Sequence, residues 1–365
     1  MNSTPRNRPR LAFSFFYSNV RSIKNKVIEL CTSVSIQNVD IICLSETWLT
    51  PDFANGSLNL SNYTIFRKDR DHRGGGVLIA TKSTLKAHEI VTPGDDEILT
   101  LDLYNNSFKL LRIITIYNPN FNNLSKFKSL LKNLTKLVEN QNEILLVGDF
   151  NLPLAFSTSK IQSFEEKYIL FRNFIDKIQP INQCINFSTR GSNTLDLVFV
   201  RNKNKLIDLE PLPPIGNSDH ASISGKYILS EEPSGKNNKV FYRNFKAANY
   251  SDMSIFLHSV LLSFNYKTLC APDLWDFFQQ TITTSINMFV PLHSYYIHNK
   301  NTYTNKEVNL FRQMKRNYKF WKHTNNLKFK RKFKYLKNLY KTTTFKNRLK
   351  MEKFLASKNN SNLFF

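Results

Sequence analysis

Apolar residues occur in short runs separated by polar breaks, and two periodicities alternate along the chain. Leu11–Tyr17, Val39–Leu44, Val77–Thr81, Ile98–Tyr104, Phe108–Tyr117, Ile144–Gly148, Leu195–Val200 and Ala221–Ile228 are rich in Val, Ile, Leu and Phe and read as strands. Between them, Ile23, Val27, Leu30 and Val34 recur at helical spacing. A second helix is predicted over Ser125–Glu139, with Ser125 as its N-cap, and a third near residues 164–178. Asn105-Asn106-Ser107 and Arg73-Gly-Gly-Gly76 read as turns. Strands alternating with helices predict an α/β or α+β domain.

The pattern changes beyond residue 229. Residues 230–240 (SEEPSGKNNK and the following Val) have linker composition, and residues 241–365 read as helical. Phe311, Met314, Tyr318 and Trp321 recur at steps of three and four. The stripe resumes at Phe329, Phe333, Leu336 and Tyr340, which predicts two basic amphipathic helices in a hairpin. Residues 1–10, polar with two prolines and three arginines, read as a loose arm ahead of an α/β domain over 11–229.

Charge sharpens this division. The 365-residue chain carries a net +23. Residues 1–229 hold 27 Lys+Arg against 21 Asp+Glu, a net of +6, whereas residues 296–365 hold 19 against 2, a net of +17. Such asymmetry points to a polyanionic partner, most simply nucleic acid. The four cysteines are scattered without a C-x-x-C pair, so neither a zinc site nor a disulfide framework is indicated, and a reducing setting fits. No apolar run reaches the length of a membrane span.

The candidate chemistry lies where apolar runs end. In Ile144–Leu152 the run closes on Gly148, read as the point where the chain turns out of the sheet, and Asp149 and Asn151 follow two positions apart. On an extended backbone both would point to one side. Asn19, Glu46, Tyr117, Asp196, Asp219 and His220 also lie in or just past apolar runs. If the strands share a sheet, those ends cluster in space. Taken singly, each has a bland reading as a turn or packing residue, and Asp196 is the hardest to dismiss, because a carboxylate inside an apolar strand is costly unless paired.

Together the set suits phosphodiester hydrolysis. Asn19 and Glu46 offer oxygen donors for Mg²⁺, with Mn²⁺ as a substitute. Asp149 can deprotonate a water that Asn151 positions, and His220 and Asn151 can stabilise charge on the phosphate. Asp196 can hold the imidazole as a triad carboxylate does. Tyr117 can donate to the phosphate.

Asn19-x-Arg21, Ser45-Glu46-Thr47-Trp48, Arg73-Gly-Gly-Gly76, Tyr117-x-Pro119, Gly148-Asp149-x-Asn151, Leu195-Asp196 and Ser218-Asp219-His220 follow one another in the order found in endonuclease/exonuclease/phosphatase domains. The Glu-Thr-Trp and Arg-Gly-Gly-Gly elements most resemble the endonuclease of jockey-type non-LTR retrotransposons. The resemblance covers about residues 11–228 and implies a four-layer α/β sandwich, two packed sheets with helices outside, followed here by a basic helical C-terminal region. It also implies Mg²⁺-dependent nicking of duplex DNA that leaves a 3′-hydroxyl to prime reverse transcription. In that pattern Asn19 and Glu46 hold the metal, Tyr117 meets the phosphate, Asp149 and Asn151 serve the water, and Asp196 pairs with His220. Asp219 belongs to the same site. Arg73, Asn120, Arg190, Lys330, Arg331 and Lys332 are candidate nucleic-acid contacts.

The C-terminal region resembles the connector that follows such endonucleases, a candidate contact for element RNA, and no membrane is expected as a partner. No Tyr-x-Asp-Asp signature occurs, which predicts a truncated element, a fragment or a host-retained remnant. A DNA substrate implies a nuclear site of action with a cytoplasmic pool. The same superfold also admits a phosphatase acting on phosphoinositide or nucleotide, or a nucleic-acid-binding remnant that no longer cuts.

Overall fold

The computed structural model describes residues 12–71, 73–92, 94–105, 108–119, 123–156, 165–229, 239–263, 271–296 and 303–357. By internal contacts the chain divides into two compact units, residues 1–232 with 301–365, and residues 233–300.

The first unit is built on two six-stranded mixed sheets. One contains β1 (Ala12–Asn19), β2 (Ile41–Ser45), β3 (Tyr63–Lys68), β4 (Val77–Lys82), β11 (Leu206–Leu212) and β12 (Ser222–Ile228), in the order β11-β12-β1-β2-β4-β3. The other contains β5 (Lys86–Glu89), β6 (Ile98–Asn105), β7 (Phe108–Tyr117), β8 (Ile144–Asp149), β9 (Asn182–Gln183) and β10 (Asp196–Val200), in the order β5-β6-β7-β8-β10-β9. Period-two alternation sends Phe13, Phe15 and Tyr17 of β1 into the space between the sheets, where they meet Leu101, Ile113, Leu145 and Val198. The opposite faces are covered by α1 (Val27–Gln37) on the first sheet, and by α2 (Leu124–Val138) and α3 (Glu166–Lys177) on the second. Helix, sheet, sheet and helix make the expected four-layer sandwich.

The four strands absent from the sequence reading, β3, β5, β9 and β11, are the outer strands of the two sheets. Edge strands carry charge and lack the continuous apolar run of a doubly covered strand, as in Lys86-Ala-His-Glu89 of β5. The cap of α2 also differs from expectation. Asn123, not Ser125, accepts the Lys126 N–H at 3.1 Å, which places the cap two residues earlier.

The hairpin of α6 (Asn305–Thr324) and α7 (Leu327–Ser357) belongs to the first unit. Thr304 and Glu307 form a reciprocal capping box that starts α6. The predicted stripe is buried: Phe311, Met314, Tyr318, Phe333, Leu336 and Tyr340 pack together and onto Ala221 of the sandwich. The second unit holds α4 (Tyr250–Ser263), α5 (Ala271–Phe289) and an antiparallel ribbon of β13 (Lys239–Arg243) with β14 (Leu292–Tyr296). The helical expectation beyond residue 240 missed this ribbon, whose strands are short and more than forty residues apart in the chain. The arm over 1–10 and most of the predicted linker lie outside the described residues. Among the described residues, no helix is long and apolar enough to cross a membrane.

Candidate active site

Strand direction gathers the polar residues. β1 and β2 run parallel, so Asn19 ends beside Ser45 and the following Glu46. β7 and β8 run parallel, placing Tyr117 beside Asp149. β10 runs antiparallel to β8, so its first residue, Asp196, stands opposite Asp149. β12 runs antiparallel to β1, and His220 lies just before its start. These ends meet at one rim of the sandwich.

Hydrogen bonds join the two sheets there. Asn19 Nδ2 donates to Glu46 Oε1 and to Asp149 Oδ2, both at 2.9 Å. Asn19 Oδ1 accepts the Arg21 N–H at 3.2 Å. His220 Nδ1 lies 2.7 Å from Asp196 Oδ2, and its Nε2 lies 3.9 Å from Asp149 Oδ2. Asn19, Asp149, Asp196 and His220 are all buried. Among the described residues, Asp149, Asp196 and His220 form the cluster whose metal-ligating atoms lie within 4.8 Å of one another.

The electrostatics follow from burial. Desolvation raises the Asp149 carboxyl to about 7; the Asp196 charge adds to the rise, against His220, the Asn151 N–H and Asn19. Burial alone would lower His220, but the hydrogen bond and charge of Asp196, with Asp149 and Asp219 behind them, raise it to about 8. The histidine therefore favours the imidazolium at neutral pH, with Nδ1–H held by Asp196 and Nε2–H directed toward Asp149.

The turns that leave the strands are left-handed. Arg21, Ser22, Glu46, Trp48 and Asn151 have φ between 40° and 72°. Such conformations are uncommon for these side chains and persist where surrounding contacts fix them. Here the extended reading of Asp149-Phe150-Asn151 fails. Asn151 turns back, its N–H donating to Asp149 Oδ1 at 2.9 Å and its side-chain amide to the Asn118 carbonyl at 2.8 Å. Phe150 anchors that turn in a buried cluster, with its ring 5.4 Å from Phe199 and 5.6 Å from Phe171. Gly148 is not where the chain turns. It lies inside β8 against Ile116 of β7, whose backbone occupies the place a Cβ would take.

The remaining candidates surround the cluster. Tyr117 is half-buried and hydrogen-bonded to Glu46; burial first, then the charges of Glu46 and Asp149, raises its hydroxyl well above the usual range. Asp219 is exposed and pairs with Arg190 at 2.7 Å and Arg21 at 3.2 Å. Backbone hydrogen bonding and these arginines outweigh desolvation and hold it below the ordinary carboxylate range. Arg73 lies over the Trp48 ring at 5.3 Å, and Trp48 Nε1 donates to Glu46 Oε2 at 3.2 Å. Arg21, Lys24, Trp48 and Arg73 line an open depression beside the site. Arg331 and Lys332 are exposed on α7, and Lys330 lies 5.1 Å over the Trp321 ring. Asn120 lies outside the described residues.

Two supporting residues escaped the sequence reading. Tyr17, fully buried, donates to Asp196 Oδ1 at 2.9 Å and shares a 2.7 Å hydrogen bond with Ser45. Thr189 Oγ1 accepts the N–H of Asp196 at 3.1 Å. Tyr17 reads as one more aromatic in an apolar run, and its partner is 179 residues away. A tyrosine inside a strand needs a partner for its hydroxyl, and that is the one signal the sequence carried.

Residues 17–220, more than half of the chain, match the endonuclease/exonuclease/phosphatase family. The chain belongs to the endonuclease/exonuclease/phosphatase family. It is thus a member of a family of phosphodiester hydrolases that use a divalent metal, and it carries the Asp/Asp/His cluster for that chemistry. Solved structures similar to this family member include the endonuclease domain of TRAS1, a telomere-specific non-LTR retrotransposon, at 11% identity and TM-score 0.49, covering 60% of this chain and 100% of that one. The AP endonuclease LMAP from Leishmania major is similar at 17% identity and TM-score 0.48, covering 62% and 91%. The 3′-5′ exonuclease NExo from Neisseria meningitidis is similar at 16% and 0.47, covering 59% and 99%. No curated protein matches the chain.

Proposed function

We propose that this protein is a Mg²⁺-dependent endonuclease that nicks duplex DNA and leaves a 3′-hydroxyl, the cut that primes reverse transcription of a non-LTR retrotransposon. The observation that carries the reading is the buried Asp149–Asp196–His220 cluster, tied through Asn19 to Glu46, whose neighbours Arg21 and Trp48 line a depression with Lys24 and Arg73. Chromosomal DNA as substrate places its action in the nucleus. The basic face of α7 suits further phosphate contacts, on DNA or on element RNA.

The donor set fits a hard divalent cation. The Glu46 carboxylate and the Asn19 amide stand together, the Asp149 carboxylate is hydrogen-bonded to the same amide, and no thiolate stands among them. Asn19 and Glu46 are the residues that would hold the ion; Asn19 offers its oxygen if its amide turns over, which gives up the Arg21 N–H and the hydrogen bonds that Nδ2 donates to Glu46 and Asp149. When bound, the ion supplies Lewis-acid stabilisation of charge on the phosphate.

The chain's own residues account for the rest. Asp149, held by the Asn151 N–H and the Asn19 amide, is the base that accepts the proton of the attacking water. His220 donates from Nε2 to the phosphate oxygens as their charge grows. Asp196 fixes the ring through Nδ1, and Tyr17 fixes Asp196. Tyr117, held neutral, donates toward the phosphate from beside Glu46. Arg21 and Arg190, gathered by Asp219, face the approaching backbone.

The test is conversion of supercoiled plasmid to open circle in Mg²⁺, run beside a soluble inositol phosphate and a mononucleotide. Nicks that a polymerase extends without prior phosphatase treatment support the reading. Release of phosphate from the small substrates with intact plasmid would assign the phosphatase activity instead, and binding of DNA without either reaction would make the protein a non-cutting binder.

A further inference from the structure

The loop between β11 and β12 carries His220, and it is gripped from several sides. Gly216, at φ +56°, has its N–H donating to Glu29 Oε2 of α1 at 2.8 Å. A Cβ at Gly216 would strike the stem of Lys26 at 2.6 Å, so the backbone lies flat on that stem. The head of Lys26 donates to the carbonyls of Val20 and Arg21, at 2.6 and 2.9 Å, just past Asn19. Ser218 Oγ then donates to the Asn19 carbonyl at 2.6 Å and accepts the His220 N–H at 3.3 Å. The exit of β1 and the histidine loop are therefore one fixed assembly.

The last grip comes from far along the chain. Lys337 of α7 reaches in with Nζ 2.5 Å from the Gly216 carbonyl and 3.2 Å from the Pro214 carbonyl. Its surroundings are desolvated enough to lower its pKa, with Glu29 acting against that and Lys341 and Lys26 adding to it. Just past His220, Ala221 is buried under Leu310, Phe311, Met314 and their neighbours on the same hairpin. On the other flank Lys322 of α6 donates to Ser188, beside the Thr189 that holds Asp196. The hairpin thus touches the chain on both sides of the histidine and next to the carboxylate that orients it.

We propose that Lys337 is a positioning residue for the hydrolytic site, and that the α6–α7 hairpin is a working part of that site through the Pro214–His220 loop. The inference rests on the hydrolytic reading given above. Lys337 touches no reacting group. It fixes two carbonyls that would otherwise be buried with a donor withdrawn, and it closes the side of the loop that Glu29 and Lys26 leave open. The geometry at His220 Nε2 depends on that closure, because small displacements of a positioned group cost rate steeply.

The experiment compares the full chain with Lys337→Met, Lys337→Arg and, as a charge control, Lys86→Met on the exposed edge strand β5. Plasmid nicking gives kcat and KM, hydrogen exchange reports the 214–220 amides, and thermal unfolding reports global stability. For Lys337→Met the expected result is a kcat lower by roughly ten- to a hundredfold with KM for DNA unchanged. Exchange should rise at Ser218 and His220, Lys337→Arg should recover most of the rate because a guanidinium can still reach both carbonyls, and Lys86→Met should match the unaltered chain. Wild-type kcat in Lys337→Met would overturn the proposal. So would a loss of rate that follows global unfolding with no local change in exchange. Failure of the unaltered chain to cut would count against the functional reading, and the exchange measurement would still decide whether Lys337 holds the loop.

Discussion

Asp149 and Asp196 stand directly opposite each other across the β8–β10 pair, both buried, with one imidazole between them and the rest of the site. Burial raises the carboxyl of Asp149, and the repulsion of Asp196 across the strand pair adds to that rise. Function and stability therefore pull in opposite directions at this pair.

The pH dependence of metal-free stability follows. Asp149 rises from 3.8 to about 7 on folding, and His220 from 6.5 to about 8. For each, the folded state binds the proton more tightly, so its contribution to stability is fully present below the unfolded pKa and is lost as pH rises through the folded one. In EDTA, unfolding free energy should fall between about pH 4 and pH 8 from these two groups. Asp149→Asn removes the larger part of that slope. Denaturant midpoints for both proteins at pH 5 and pH 8 check this, and a parallel fall in the two would refute it.

Asp149→Ala and His220→Ala should each abolish nicking while leaving the fold intact. The two act on one transition state, so the double variant should be scarcely worse than either single one. Circular dichroism and single-turnover nicking give the answer, and additive losses would separate the two residues into different steps.

Asp196→Asn should lower turnover and leave DNA affinity nearly unchanged, because an amide still accepts one hydrogen bond but cannot favour the imidazolium. Tyr17→Phe should have a weaker effect of the same kind, since it removes one donor from Asp196 and leaves the His220 contact. Fluorescence anisotropy against nicking rate separates binding from chemistry. Equal losses in both would make Asp196 a structural residue.

How far the sequence disclosed this site depends on the kind of signal each residue carries. Asp149 and Asp196 could be read because ionised groups at the end of apolar strands demand a partner. His220 could be read because Ser218 and Asp219 mark its loop. The way Asn151 turns back could not: asparagine tolerates both extended and left-handed backbone, and the choice is made by Asp149 Oδ1 and the Asn118 carbonyl. Tyr17 and Lys337 were hidden because their partners are distant in sequence. The stripe from Phe311 to Tyr340 predicted an amphipathic pair, but periodicity shows only that a face is buried, not that Ala221 lies beneath it.

The metal requirement is expected to be strict. Nicking should stop in EDTA and return with Mg²⁺ or Mn²⁺, and Glu46→Gln should raise the Mg²⁺ concentration needed for half-maximal rate, because a neutral amide is a weaker donor for a hard cation. Rates over a Mg²⁺ titration test both statements. Full activity in chelator, or an unchanged titration in Glu46→Gln, would remove Glu46 from the metal site.

The basic face of the hairpin offers the last prediction, and the packing dictates how to test it. Deleting residues 303–357 would uncover Ala221 and withdraw Lys337 from the histidine loop, so weakened binding would have two causes. Neutralising Lys330, Arg331 and Lys332 together leaves the buried stripe of Phe333, Leu336 and Tyr340 in place. If those three side chains meet phosphates, the log–log salt dependence of duplex binding should flatten by about 0.9 for each phosphate that is no longer neutralised. Affinity should fall alike on all sequences, since phosphate contacts carry no base information. Lys330 also covers the Trp321 ring, and the Lys330→Ala single variant shows whether freeing that ring strengthens single-strand binding by stacking. Anisotropy isotherms at several salt concentrations decide between the outcomes. Superimposable slopes for the triple variant and the unaltered chain would confine DNA contact to the rim formed by Arg21, Lys24, Arg73 and Arg190.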